Sequence, residues 1–221
     1  MNRILVVAPH PDDETLGCAG TLLKHKKRGD ELHWLIYTDM AASDQYSEAA
    51  ILQRTAEINQ VAARYEFKTL SQLHFAPAQL DHIAKSDLVS QASRVIQNIQ
   101  PQVIYLPFRN DVHSDHEVVF DSCVAATKQF RLPCIKELLA YETLSETEFS
   151  LKPDGVFKPN VFVDISDYLT AKLDIMSIYE SESGDFPFPR SAEAIKALAK
   201  YRGVQANLTA AEAFMLLKRV C

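Results

Sequence analysis

The sequence lacks a long apolar run, a long block of basic residues, a paired cysteine motif and any low-complexity tract or linker. No stretch approaches the roughly 20 apolar residues that a membrane helix needs, so insertion into a bilayer is not expected. The start, "MNRILVVAPHPDDE", has too short an apolar segment for a secretory signal and runs straight into acidic residues, which predicts a cytoplasmic protein. A formal net charge of -6 without a long basic block argues against an electrostatic grip on nucleic acid. The four cysteines, Cys18, Cys123, Cys134 and Cys221, contain no C-x-x-C pair. A zinc knuckle or redox dithiol is therefore not expected, and the residues read as reduced thiols. The 221 residues, 47% of them hydrophobic, suffice for one sizeable core, and the expected unit is a single domain over 1–221.

What is present is an alternation of short β-branched runs with longer helical patterns. "RILVVAP" reads as a buried strand and "DDETLGCAGTLLKHKKRG" as a helix with acidic residues first, basic residues last and Gly29 as its stop. Gly17 and Gly20 let that helix come close to its neighbours. "ELHWLIYTD" is a strand. "SEAAILQRTAEINQVAARY" is a helix with Ile51, Thr55, Ile58 and Ala62 on its apolar stripe. "DLVSQASRVIQNIQ" is a helix, "PQVIYLP" a strand and "SDHEVVFDSCVAATKQF" a helix. "FKTLSQLHFAPAQLDHI" is expected to hold a strand and a turn. "ELLAYET" and "NVFVDIS" read as strands, and "DYLTAKLDIMSIYESES" and "AEAFMLLKRV" as helices. Such alternation predicts an α/β fold, a Rossmann-like, mostly parallel sheet with helices on both faces.

In such sheets ligands bind beyond the carboxyl ends of the strands. Two polar clusters fall there: "HPDDE" after the first strand and "HSDH", His113 to His116, after "PQVIYLP". Together His10, Asp13 and His116 supply two imidazoles and a carboxylate, a set that suits one divalent metal with a position left for water. Asp12 is free to take the proton of that water. His113, as an imidazolium held by Asp115, suits a developing oxyanion. Arg54 suits an oxygen of the substrate or of the released carboxylate.

Taken singly, each feature has a plainer meaning. Asp12 and Asp13 suit the cap of the following helix, beside Pro11 at a position that favours helix starts. "HSDH" alone suits a solvated loop, and Arg54 with Glu57 an ordinary helix ion pair. The conjunction of two histidine–aspartate clusters, each after a buried strand, favours a metal hydrolase. His25, His33, His74 and His82 have no paired cluster and are expected in ordinary polar contacts. Asp39 is expected to cap a turn, and "TDMAASDQY" to line the pocket.

These motifs resemble those of the LmbE / PIG-L family of zinc-dependent N-acetylglucosaminyl deacetylases. The family's A-H-P-D-D-E after a hydrophobic strand matches "VVAPHPDDETLGCAGTL", with one additional proline before His10, and its H-P-D-H appears as "HSDH", with Ser114 for the proline. Weaker similarities are "RTAE" at Arg54, "YE" at Tyr141, "YESE" at Tyr179 and "AEAF" at Ala211. The resemblance implies a mononuclear zinc site held by His10, Asp13 and His116. It implies Asp12 as general base, His113 as electrostatic catalyst or acid supported by Asp115, and Arg54 near the leaving acyl group. Fe2+ or another divalent ion also suits two histidines and a carboxylate.

The implied activity is removal of an N-acetyl group from an N-acetylglucosamine-type sugar or its conjugate by metal-activated water. The partner is then a small N-acetylated molecule rather than a macromolecule, and a homo-oligomer stays compatible with the sequence. A zinc amidohydrolase acting on another N-acyl compound, or an inactive sugar-binding protein on the same fold, are the competing readings. Metal content together with amine release separates them.

Overall fold

The computed structural model describes residues 1–153 and 155–221. Its centre is a seven-stranded sheet of β1 (Arg3–Ala8), β2 (Glu31–Thr38), β3 (Thr69–Phe75), β4 (Val103–Pro107), β5 (Glu137–Tyr141), β6 (Val161–Asp164) and β7 (Ala211–Arg219). The order across the sheet is β3-β2-β1-β4-β5-β7-β6. The first five strands run parallel, and β7 runs antiparallel to both β5 and β6. The expected mostly parallel, helix-covered sheet is what forms.

Strand β1 is buried on both faces, as its unbroken apolar run requires. Ile4, Val6 and Ala8 join one core with α1 (Asp13–Lys27) and α2 (Glu48–Tyr65). Leu5 and Val7 join the opposite core with α3 (Lys85–Ile99) and α4 (Ser114–Ala126). The chain leaves β1 towards β2 and leaves β4 towards β5, so its path diverges between two adjacent strands. That divergence opens a crevice at their carboxyl ends. Both histidine–aspartate clusters lie there, "HPDDE" after β1 and "HSDH" after β4.

Helix α1 reaches its neighbours as its glycines predict. A Cβ on Gly17 would lie 2.3 Å from a ring carbon of Tyr141. The Tyr141 hydroxyl in turn donates to the Val7 carbonyl at 2.8 Å, tying β5 to β1 just below His10. Gly20 packs equally closely on Ile165.

Three expectations fail. "AEAFMLLKRV" is the strand β7, not a helix. Its alanine, methionine and leucines are good helix formers, but the segment fills the gap between two strands, and tertiary pairing overrides propensity. There the buried Glu212 carboxylate accepts from the Gly20 and Thr21 amides at 2.9 and 2.8 Å and from Lys172 Nζ at 2.8 Å. The helix read over "DYLTAKLDIMSIYESES" stops early: α5 is Leu169–Met176, and Glu180–Glu182 is a single 3-10 turn. A helix not anticipated, α6 (Ala192–Gln205), starts at Ser191, whose hydroxyl accepts from the Ala194 amide. The buried face of α2 also differs from the expected stripe. Thr55 is exposed, while Arg54 and Glu57 are buried beside Ile58 and Val61.

Candidate active site

The crevice holds a cavity of about 710 Å³ with His10, Asp12, Asp13, His113 and His116 in its wall. Pro11 and Asp12 bridge β1 and α1. Asp12 has φ 130°, a conformation that costs a non-glycine residue about 1–3 kcal/mol. Neither aspartate serves the plain capping role. Asp12 makes no side-chain bond to the start of α1, and Asp13 Oδ2 accepts from the His10 amide at 2.9 Å. Among the described residues the Asp12 carboxylate has no hydrogen-bond or ion-pair partner, so it is left facing the cavity.

His10, Asp13 and His116 converge. One ligand atom from each lies within 4.8 Å of the others. His10 Nδ1 is 3.5 Å from Asp13 Oδ2, and His116 Nε2 is 3.4 Å from Asp13 Oδ1. The far nitrogen of each imidazole is held by a carboxylate: His10 Nε2 donates to Asp115 at 2.9 Å and His116 Nδ1 to Asp111 at 2.7 Å. Carboxylates behind both rings fix the nitrogen that faces inward and raise its basicity, the support that metal-binding histidines require. The donor set of two imidazoles and one carboxylate therefore fits a divalent metal. His10, His113 and Asp115 also lie close together. Two of the three, however, are spent on each other, His10 Nε2 bonding to Asp115, and His113 Nδ1 accepts from the Asp115 amide at 3.1 Å.

Charge states follow from these partners. Burial opposes charge on His10, but hydrogen bonds to Asp115 and Asp13 outweigh it and raise its pKa to about 9. Burial likewise works against a charged His116, yet the Asp13 charge and the Asp111 hydrogen bond hold its pKa well above the ordinary value. For Asp13, burial is outweighed by His116 and His10, which keep it ionised far below the usual carboxylate range. Burial pushes Asp12 the other way, well above that range, with the Asp13 and Glu182 carboxylates adding to it.

His113 departs from its expected state. Burial, and then the charge of His10, lower its pKa to about 4, so it is a neutral ring and not an imidazolium. Asp115 supports it only through its backbone: His113 is the N-cap of α4. The Asp115 carboxylate points instead to His10 and to the Ala78 and Leu80 amides, at 2.7 and 3.2 Å. Because His113 Nδ1 accepts from a backbone N–H, its proton sits on Nε2.

Arg54 lines the cavity, but its guanidinium is largely committed to protein. Nη1 donates to the Pro11 carbonyl at 2.9 Å, Nη2 donates to Ser181 at 2.8 Å and to Glu182, and Nε lies 3.1 Å from Glu57. Three residues in or behind the cavity wall carry no assigned role in the sequence reading. Asp111 stands five residues before His116 and is the one with a readable spacing. Glu182 and Arg190 join the site from a distant loop, with Arg190 Nη2 donating to Glu182 at 2.9 Å. The "TDMAASDQY" segment lines the cavity through Met40, Ala41 and Tyr46, as expected. Asp39 accepts from the Ala41 amide at 2.9 Å, its expected turn-capping role, and also pairs with His74 Nδ1 at 2.6 Å, which puts His74 in the cavity wall.

Comparisons with known proteins bear on both the fold and the family. The chain is 24% identical over 213 residues to the diacetylchitobiose deacetylase of Thermococcus kodakarensis, covering 92% of this chain and 78% of that protein. The N,N'-diacetylchitobiose deacetylase structure from Pyrococcus horikoshii superimposes with a TM-score of 0.78 at 20% identity, over 98% of this chain and 84% of that one. The 4-carboxy-2-hydroxymuconate hydratase GalB from Pseudomonas putida superimposes with a TM-score of 0.76 at 18% identity, over 100% and 98% of the two chains. The fold thus carries more than one chemistry, and the site has to decide between them. The family description "PIG-L: GlcNAc-PI de-N-acetylase" matches residues 5–127, a span from β1 to the end of α4 that contains both histidine–aspartate clusters and is more than half of the sequence. This chain belongs to the PIG-L family.

Proposed function

We propose that the protein is a zinc-dependent N-deacetylase that removes the acetyl group from an N-acetylglucosamine-type sugar or its conjugate. One observation carries the reading: a His10–Asp13–His116 donor set stands beside a separate carboxylate, Asp12, that faces the same cavity without a partner. A binding protein has no use for such an unpaired, buried acid. Zinc held by His10, Asp13 and His116 would supply the charge that acidifies water and polarises an amide carbonyl.

The chain's own groups do the rest. Asp12 takes a proton from the attacking water as its oxygen bonds to the acetyl carbon. Burial and the neighbouring carboxylates raise its basicity, which suits that task. His113 donates its Nε2–H to the carbonyl oxygen as negative charge gathers there. Asp12 then returns the proton to the nitrogen, the C–N bond breaks, and acetate and a free amine leave. Fe2+ fits the same donors, and elemental analysis of purified protein decides between the ions.

The family match and the deacetylase relative support the sugar substrate. A unit spanning 1–221 is supported by a sheet that draws strands from both ends of the chain. No helix among the described residues is long and apolar enough to cross a membrane, and all four cysteines are free. The free thiols support a cytoplasmic setting. The test is to incubate zinc-loaded protein with a panel of N-acetylated sugars and conjugates and to assay free amine and acetate together. Equal amounts of both from the wild type, and a roughly 100- to 10,000-fold lower rate from Asp12→Asn, are expected. No amine from any member of the panel, or undiminished turnover by Asp12→Asn, overturns the reading.

A further inference from the structure

The peptide bond between Pro11 and Asp12 is gripped at both of its polar ends. Its carbonyl oxygen accepts from Arg54 Nη1 at 2.9 Å, and its N–H donates to Glu14 Oε2 at 3.0 Å. The two grips come from different helices, α2 and α1, and both side chains are buried. They share a backing. Tyr179 donates its hydroxyl to Glu14 Oε1 at 2.8 Å, and the Arg54 guanidinium lies over the same ring at 5.5 Å. Thr15 also donates to Glu14 Oε1, at 2.6 Å. Among the described residues every partner of the Glu14 carboxylate is therefore a donor, and no cation pairs with it.

We infer that Glu14 and Arg54 are positioning residues for Asp12, a clamp that fixes the Pro11–Asp12 peptide plane and so aims the Asp12 carboxylate. The inference rests on Asp12 being the base of the proposed reaction. The two grips make the orientation one-way. A guanidinium only donates and a carboxylate accepts. Turning the peptide over would set its carbonyl against Glu14 and its N–H against Arg54. The clamp thereby accounts for the φ of 130° at Asp12, where an aspartate in relaxed geometry would fold its carboxylate over the start of α1 as a cap. It also gives Arg54 its place beside the base without a direct bond to substrate.

The test compares kcat, KM and bound metal for Glu14→Leu, Glu14→Gln and Arg54→Met, in the wild type and in an Asp12→Asn background. Glu14→Leu and Arg54→Met are expected to keep the metal and KM and to lose kcat by about 100-fold, the scale of an ångström-sized misplacement. Glu14→Gln is expected to stay near the wild type, because its amide oxygen accepts from Asp12 while its NH2 group donates to the hydroxyls. In the Asp12→Asn background none of them should lower kcat further, since there is no base left to aim. The same loss in both backgrounds, or folded Glu14→Leu with wild-type kcat, overturns the clamp. Hydrogen exchange of the Asp12 amide in the unaltered protein reads the clamp without any activity or variant. Slow exchange is expected, and exchange at the rate of an open loop overturns the inference. A wild type that releases no amine, with a protected Asp12 amide, would instead sink the deacetylase reading and leave the clamp standing.

Discussion

His116 and His113 stand three residues apart at the start of one helix, and the fold gives them opposite chemistry. His116 lies between two carboxylates, Asp13 and Asp111, and is held basic. His113 faces another imidazole, accepts a backbone N–H on Nδ1 and is neutral above about pH 4. Burial disfavours charge on both rings, so burial is not what separates them. The charged neighbours do: Asp13 and then the Asp111 hydrogen bond hold His116 basic, whereas the charge of His10 keeps His113 neutral. Two histidines three residues apart therefore take opposite charge states, decided by residues elsewhere.

Removing each ring tests that contrast most directly. His116→Ala takes away one of three expected ligands and should abolish stoichiometric metal after dialysis, read by elemental analysis. Full metal content in that variant would end the assignment. His113→Ala should keep its metal and lose kcat by roughly 100- to 1,000-fold, as an oxyanion donor does. Whatever alkaline limb the wild-type pH profile has should survive in His113→Ala, because a ring that titrates near pH 4 cannot own it. Disappearance of that limb would mean that His113 carries charge after all.

The next effects are smaller and sharpen the difference between partners. Asp111→Asn should weaken metal binding by about 10- to 100-fold through the loss of support behind His116. A competitive chelator titration measures it, and unchanged affinity would make Asp111 a mere packing partner. Proton competition should be equally visible. A metal takes the neutral imidazole, and His10 in the metal-free protein titrates near pH 9. Below that pH a proton has to leave before binding, so apparent affinity should climb about tenfold per pH unit for each proton released between pH 6 and 8. Asp13 is already ionised in that window and adds nothing to the slope. Metal affinity independent of pH over that range would show that His10 is neutral before the metal arrives.

Much of the site was legible because its donors cluster in two short motifs at strand ends. His10, Asp12, Asp13, His113 and His116 all reach one cavity by that route. The partners behind them were not. Asp115 neighbours His113 in sequence, yet a helix N-terminus turns its carboxylate toward His10, across a loop that no spacing announces. Glu182 enters from the end of a segment that reads as one continuous helix, and Arg190 from the loop after it, which no spacing ties to the two motifs. For the fold, strands buried on both faces declared themselves by unbroken β-branched runs. β7 did not, because its residues favour helices and only the two strands beside it make it extended.

That strand has a consequence for how the molecule comes into being. Every group that reaches into the cavity from the two motifs has been synthesised by residue 116, but the edge of β5 waits for Ala211–Arg219 before it finds a partner there. Glu212 arrives in the same segment, and its carboxylate accepts from the amides of Gly20 and Thr21 and shares the buried ammonium of Lys172 with the Leu16 carbonyl. Until then the helix that begins at Asp13 lacks this polar tie at Gly20 and Thr21. Domains fold as their chains emerge, N-terminal parts first. Here the order is inverted: the helix that carries Asp13 is tied down by a residue made 192 positions after Gly20.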